Sequence, residues 1–183
     1  SAGNGGGAIN CYFASLDLRH SVFTSNDALG AGAVYFYSQL SGRPVDVFNC
    51  LFDRNTVSGN GGAMIIANVS PNITSCTFTG NSAMAGGAVN VSSEAFPVLT
   101  NCILWGNTSS YGGTQIEESG TGDPWIQNCC IDQAGFSTEG NSIRSDPLWV
   151  AGPDGDYYLS QVDAGQGVTS ACVDSGIDFA SDF

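Results

Sequence analysis

One short motif returns along the whole chain, and this repetition constrains the fold more than any other feature. Gly6-Gly7-Ala8-Ile9 is followed by Ala31-Gly32-Ala33-Val34, Gly61-Gly62-Ala63-Met64 and Gly86-Gly87-Ala88-Val89, with a worn copy at Gly112-Gly113-Thr114-Gln115-Ile116. A second motif, aromatic-x-x-Asn, alternates with it. It reads Phe23 to Asn26, Phe52 to Asn55 and Phe78 to Asn81, with Leu104 to Asn107 as a variant. Cys50, Cys76, Cys102 and Cys129 precede or follow these at spacings of 26, 26 and 27 residues (76−50, 102−76, 129−102), and Ser21 holds the same place in the first copy.

Each copy is built of strands. Val45-Asp46-Val47-Phe48 and Ala88-Val89-Asn90-Val91 alternate and are rich in β-branched residues, and no segment keeps a 3.6-residue period long enough for a helix. Short strands between Gly and Asn turns, recurring every 25 to 30 residues, predict one solenoid coil of about three strands per copy. The expected fold is all-β: a right-handed parallel β-helix of about five coils over residues 1–140, with residues 141–183 as a C-terminal cap or tail. At roughly 4.8 Å per coil the stack is about 25 Å tall. The handedness follows from the general bias of parallel crossovers.

A slip in the alternation locates a corner. In Val47-Phe48-Asn49-Cys50-Leu51-Phe52, strict alternation puts Cys50 and Phe52 on one face and Val47 on the other. Yet Val47, Ile73, Leu99 and Ile126, three residues before each cysteine, are all aliphatic. Both sets point inward if the chain bends at Asn49, Ser75, Asn101 and Asn128, with His20 in the first copy. Asn tolerates the left-handed conformation that such a bend requires. Stacked coils then set Asn above Asn, with amides bonded along the axis. Asn26, Asn55, Asn81 and Asn107 are expected to form a second such ladder.

Composition narrows function by exclusion. The chain has 183 residues, 42% apolar, enough for one domain with a core. Its 17 acids face only 4 basic residues, all arginine, for a net charge of −13. That balance argues against nucleic-acid and anionic-membrane partners, which need a basic surface. The missing lysine removes Schiff-base chemistry and P-loop phosphate binding. No apolar run approaches the roughly 18 to 20 residues that span a bilayer. Ser1-Ala2-Gly3-Asn4 has neither the basic start nor the apolar stretch of a signal peptide, so the chain reads as a mature secreted protein, a cytosolic one, or a piece of something larger.

The pairing of Gly-Gly-Ala-Ile/Val with Phe-x-x-Asn resembles the repeats of polymorphic outer membrane proteins, which are autotransporter adhesins. The stretches Ser145-Asp146-Pro147-Leu148-Trp149, Gly155-Asp156-Tyr157-Tyr158-Leu159 and Ala171-Cys172-Val173-Asp174-Ser175-Gly176 look like the end of secreted β-helix-repeat proteins of the choice-of-anchor type. The resemblance implies a parallel β-helix in an extracellular, secreted or cell-surface setting.

Seven cysteines leave at least one without an intramolecular partner. Cys50, Cys76, Cys102 and Cys129 are expected as a buried thiol ladder, although a one-coil spacing also falls within disulfide reach. Cys130 faces opposite Cys129, outside the core, which makes Cys130 with Cys172 the preferred disulfide. Zinc is disfavoured, with no Cys-x-x-Cys and one histidine. Asp154 and Asp156 are weak calcium candidates, since Asp154-Gly155-Asp156 lacks the full Asp-x-Asp-x-Asp-Gly loop and a tight turn explains it better. No cofactor is expected. Sequons make Asn68, Asn72, Asn90 and Asn107 glycosylation candidates if the source glycosylates secreted proteins. Trp105 and Trp125, with Tyr111 and the Tyr35-Phe36-Tyr37 strand, are candidate outward aromatics for sugar stacking or subunit contact, unless the tail covers them.

No catalytic set stands out. His20 fits the corner series, and adjacent Glu117 and Glu118 on a strand point to opposite faces, a poor acid/base pair. A non-catalytic structural role is therefore expected: protomers joining copies of themselves through exposed β-helix ends into a filament or surface layer, without membrane insertion. The residues Gly176-Ile177-Asp178-Phe179 alternate and are suited to add as a strand to a neighbouring edge. The first alternative is a surface adhesin binding a glycan or a host or cell-surface protein. The second is a polysaccharide lyase or hydrolase, which needs an arginine beside clustered acids in a groove.

Overall fold

A computed structural model describes residues 5–38, 44–136, 140–152 and 155–173. The coils stack as four parallel sheets, one on each side of the solenoid. The first sheet joins Ile9–Tyr12, Val34–Tyr37, Met64–Ala67, Val89–Ser92 and Ile116–Ser119. The second joins Leu16–Arg19, Val45–Phe48, Asn72–Thr74, Val98–Thr100 and Trp125–Gln127. The third joins Val22–Thr24, Leu51–Asp53, Thr77–Thr79, Ile103–Trp105 and Cys130–Ile131. Two-residue strands Asp27–Ala28, Thr56–Val57, Ser82–Ala83 and Thr108–Ser109 form the fourth. The expected parallel β-solenoid of five coils is therefore present, with four strands in each of the first four coils rather than three, and three in the fifth. The extra strand was hidden because the segment after each of Asn26, Asn55, Asn81 and Asn107 is a two-residue strand, too short to show a period.

Register along the stack is strict. Phe23, Phe52 and Phe78 share one column of the third sheet with Leu104 and Ile131. The rings of Phe52 lie 5.0 Å from Phe23 and 4.7 Å from Phe78, nearly coplanar in both cases. Val34, Phe36, Met64, Ile66, Val89 and Val91 fill the core from the first sheet. Burying such a run of large apolar side chains supplies most of the drive to stack.

The corners explain the conserved-looking small residues of each copy. His20, Asn49, Ser75, Asn101 and Asn128 all take positive φ, between 47° and 55°, as the phase slip requires. The second glycine of the Gly-Gly-Ala motif answers a different need. A Cβ at Gly62 meets the Gly87 carbonyl oxygen, and one at Gly32 meets that of Gly62, so backbone rests on backbone from coil to coil.

The continuous amide ladder runs through the second Asn set. Asn26 donates through its backbone N and Nδ2 to Asn55 Oδ1 (3.0 and 2.7 Å). Asn55 donates likewise to Asn81 Oδ1 (2.9 and 2.9 Å), and Asn81 to Asn107 Oδ1 (2.9 and 2.8 Å). The Nδ2 groups of Asn55, Asn81 and Asn107 also each donate to a carbonyl one coil back, those of Phe23, Phe52 and Phe78, at 2.9 Å. At the other corner Ser75 breaks the amide series, and a side-chain contact joins Asn49 Nδ2 to His20 Nδ1 at 2.9 Å. There the cysteines carry the bonding instead. Cys50, Cys76, Cys102 and Cys129 donate to the carbonyls of Phe48, Thr74, Thr100 and Gln127, two residues back, at 3.2 to 3.3 Å.

Replacing a central ladder residue leaves several buried groups unpaired, whereas the first rung is half-exposed. Asn81→Ala is expected to cost about 3 kcal/mol or more and Asn26→Ala about 1 kcal/mol, measured by urea denaturation. Equal costs at the two positions would contradict the ladder as a stabilising element.

Candidate functional site

The two ends of the stack are finished differently. Below Asn107 no further Asn continues the ladder among the described residues, and Gln115 takes that place: Asn107 Nδ2 donates to Gln115 Oε1 at 2.6 Å. The first sheet is closed by Gln133, whose Oε1 accepts from the backbone N of Gln115 and Ile116 (2.8 and 2.9 Å) while its Nε2 donates to Ile116 O at 2.9 Å. The second and third sheets are closed by residues 140–143. Asn128 N donates to Gly140 O at 2.7 Å, Cys129 N to Ser142 Oγ at 3.1 Å, and Ile131 N to Ile143 O at 2.9 Å.

These four residues repeat the corner of a complete coil. Asn141 has φ of 61°, matching the left-handed Asn128 above it, and Ser142 holds the cysteine rung. Gly140-Asn141-Ser142-Ile143 is a partial sixth rung, and Asn141-Ser142-Ile143 echoes Asn101-Cys102-Ile103 in the sequence. That echo was a legible signal, obscured because it falls only 13 residues after Asn128 (141−128).

At the opposite end the first coil pairs on one side only. Among the described residues no segment pairs with the outer edges of its four strands. Ile9, Leu16 and Phe23 are only partly buried there. The ladder points every Oδ1 toward the preceding coil, so Asn26 Oδ1 faces this end, and no described donor reaches it.

The C-terminal segment also folds back along the solenoid. An antiparallel hairpin, Trp149–Gly152 and Gly155–Leu159, brings the Tyr157 hydroxyl to Asp53 Oδ1 at 2.7 Å on the outer face of the third sheet. Asp53 is only 2% exposed and is bonded to Arg54 Nε at 2.8 Å. Burial, and then the bond to Asp53, push the Tyr157 phenol up to about 12. Trp105 shares the outward column of Asp53 and Thr79 and is half-buried. It is less exposed than outward placement alone implies, on the face that the hairpin crosses.

Other expected site residues are scattered. Trp125 is 58% exposed on the second sheet and, with Asp123, Pro124 and Gly140, lines a shallow depression of about 400 Å³. Tyr111 is 76% exposed. Tyr12, Tyr35 and Tyr37 cluster outside the first sheet with centroids 5.3 to 6.4 Å apart, an aromatic group built by two coils in register. Of the sequons, Asn107 is buried inside the ladder and Asn90 is buried with Nδ2 donating to Ser119 Oγ at 3.1 Å. Neither amide has room for a glycan in the folded chain, which corrects those two expectations. Asn72 is exposed and donates to Asp46 Oδ1 at 2.9 Å, and Asn68 is half-buried at a left-handed corner.

All seven cysteines are thiols. Burial raises Cys102 well above the ordinary thiol range, whereas the hydrogen bonds from Cys102 lower its neighbours Cys76 and Cys129. Cys130 lies outside the core cluster yet is buried, because the chain returns over it. Asp156 lies at the exposed start of the second hairpin strand, while Asp154 falls outside the described residues. Arg19, Arg54 and Arg144 each pair with one aspartate, respectively Asp17, Asp53 and Asp132. Glu117 and Glu118 occupy opposite faces of their strand, Glu117 reaching Gly113 N at 2.6 Å. Among the described residues no three His, Cys, Asp or Glu side chains are placed to share a metal ion.

Together the stacked sheets, buried ladders and terminating half-rung define a parallel β-solenoid repeat protein. Comparison with protein-family models, with curated proteins and with solved structures finds no match. No helix among the described residues is long and apolar enough to cross a membrane.

The hairpin anchor has a titration signature. Its tyrosine is neutral when bonded, so the contribution is complete below about pH 10, the ordinary tyrosine value, and is lost as pH rises through about 12. In an ultraviolet phenolate titration, one of the six tyrosines should ionise near pH 12, and Tyr157→Phe should remove that step. Retention of the step in the variant would assign it elsewhere.

Proposed function

We propose that this chain is a non-catalytic extracellular structural protein whose protomers join end to end into a filament or surface layer. The observation that carries this reading is the unequal finish of the two ends. One end is closed by Gln115, Gln133 and a partial rung, while at the other, among the described residues, the ladder acceptor Asn26 Oδ1 and the outer strand edges have no partner. Such edges are templates for strand addition, and natural proteins normally block them. The occupant is a second copy of the chain, adding as a strand the segment that carries the alternating Gly176-Ile177-Asp178-Phe179, although those residues lie outside the described ones. A contact between unlike surfaces does not close on itself, so it propagates. The likeness to adhesin-type repeats and to a choice-of-anchor tail supports the extracellular setting, and also a surface-attached role.

Negative-stain electron microscopy across a concentration series tests it. Filaments are expected for the full chain and only single particles after deletion of 177–183. Filaments unaffected by the deletion would overturn the donor, and single particles at every concentration would overturn the assembly.

A second reading, an adhesin surface that takes a glycan, rests on Trp125. An exposed indole beside the Asp123 carboxylate in a shallow depression offers a stacking face and a hydroxyl acceptor together. On a glycan array, Trp125→Ala should lose at least tenfold in binding with an unchanged melting temperature. Equal binding by the variant would remove this site.

A further inference from the structure

We propose that Cys130 and Cys172 are a redox-active pair whose disulfide clamps the C-terminal segment across the closed end of the solenoid. The other five cysteines are core thiols: four corner rungs and Cys11 of the first sheet, all buried away from a soluble oxidant. Cys130 differs in direction. It belongs to the last coil, turns away from the core, and donates to Ser145 O at 3.0 Å beneath the returning chain.

Cys172 differs in access, being half-buried. Its position is fixed by a relay through the hairpin: Ser160 N donates to Leu148 O (3.1 Å), Ser170 N to Ser160 O (2.7 Å), and Cys172 N to Ser170 Oγ (3.1 Å). Its thiol and the Cys130 thiol are hydrogen-bonded to each other. Two thiols already in contact need little rearrangement to bond.

The chemistry needs a disulfide oxidant such as oxidised glutathione. Cys172 is the attacking thiol, since the bond from Cys130 lowers its proton affinity to about 7 and it alone reaches solvent. Its sulfur attacks one glutathione sulfur, the glutathione disulfide breaks, and one glutathione leaves as a thiolate that takes up a proton. Cys130 then loses its proton and attacks the Cys172 sulfur, and the second glutathione leaves. Two protein thiols are oxidised, one glutathione disulfide is reduced to two thiols, and both cysteine protons end in those thiols.

The consequence is mechanical. The bond closes a loop of 42 residues (172−130) that contains the partial rung Gly140–Ile143 and the hairpin. The rung must come away before the edges of the last coil are exposed, so oxidation locks that end and reduction lets it open.

Cleavage at Arg144 provides a direct test, because residues 145–183 contain Cys172 as their one cysteine. The full folded chain is treated with oxidised glutathione, remaining thiols are alkylated, and the protein is denatured and cut with trypsin. The 145–183 fragment should stay joined to the preceding fragment until reductant is added, and Cys130→Ser should abolish the link. Oxidation should raise the melting temperature of the native chain by roughly 5–10 °C, reversed by reductant and missing in Cys172→Ser. A Cys172 that is alkylated after oxidation, or a link that survives in Cys130→Ser, would overturn the pairing.

Discussion

Backbone hydrogen bonding along the stacking axis is the constraint from which the rest of this structure follows. In a parallel solenoid each coil can satisfy its amides and carbonyls only through the coils above and below. Every corner must therefore recur at the same height and turn, or the ladder breaks on all four sides at once. Left-handed residues at the corners and glycines stacked on glycine carbonyls are the local means of meeting that demand. The Asn26–Asn107 ladder adds a polar spine in which the amides of Asn55 and Asn81 are buried and paired to both neighbours. A spine of this kind penalises any register other than the native one, because a slip strands its donors in the core.

An array that bonds only to its neighbours must also be ended. Here the ending is made from approximate copies of the repeat itself. Gln115 supplies a carboxamide oxygen where an asparagine of the next coil would lie, and Ser142 supplies a hydroxyl where the next cysteine would lie. Gln133 imitates the backbone of a missing strand with both atoms of its side-chain amide. The first coil has no described counterpart of these devices, and the ladder's polarity leaves an acceptor rather than a donor pointing outward. The difference between the ends is thus chemical as well as geometric.

The outer faces are unequal for a related reason. The hairpin and its neighbours occupy one side, pinned where Tyr157 meets the buried Asp53 and where Cys130 meets Ser145. The tyrosines of the first sheet, Trp125 of the second and the exposed Tyr111 and Phe96 are part of the aromatic surface elsewhere. A buried carboxylate bonded to a phenol and a guanidinium is a costly feature to keep unless its partners stay in place. It therefore ties the position of the tail to the integrity of the second coil.

Much of this was written in the sequence. The motif spacing gave the coil, the phase slip gave the left-handed corner, and alternation placed Leu104 inside with Cys130 outside the core. These are local or periodic properties, and a repeat displays each of them several times over. The sequence did not reveal that Asn107 and Asn90 are buried. It also hid that Gln115, in what looked like a decayed motif copy, ends the amide spine. Nor did it place Asp53 against Tyr157, 104 residues away. Such facts depend on which coil is last and on where a non-repeating tail returns. Repetition encodes how one coil meets the next, but a single contact between distant, unrepeated residues leaves no periodic trace, so only the folded chain decides it.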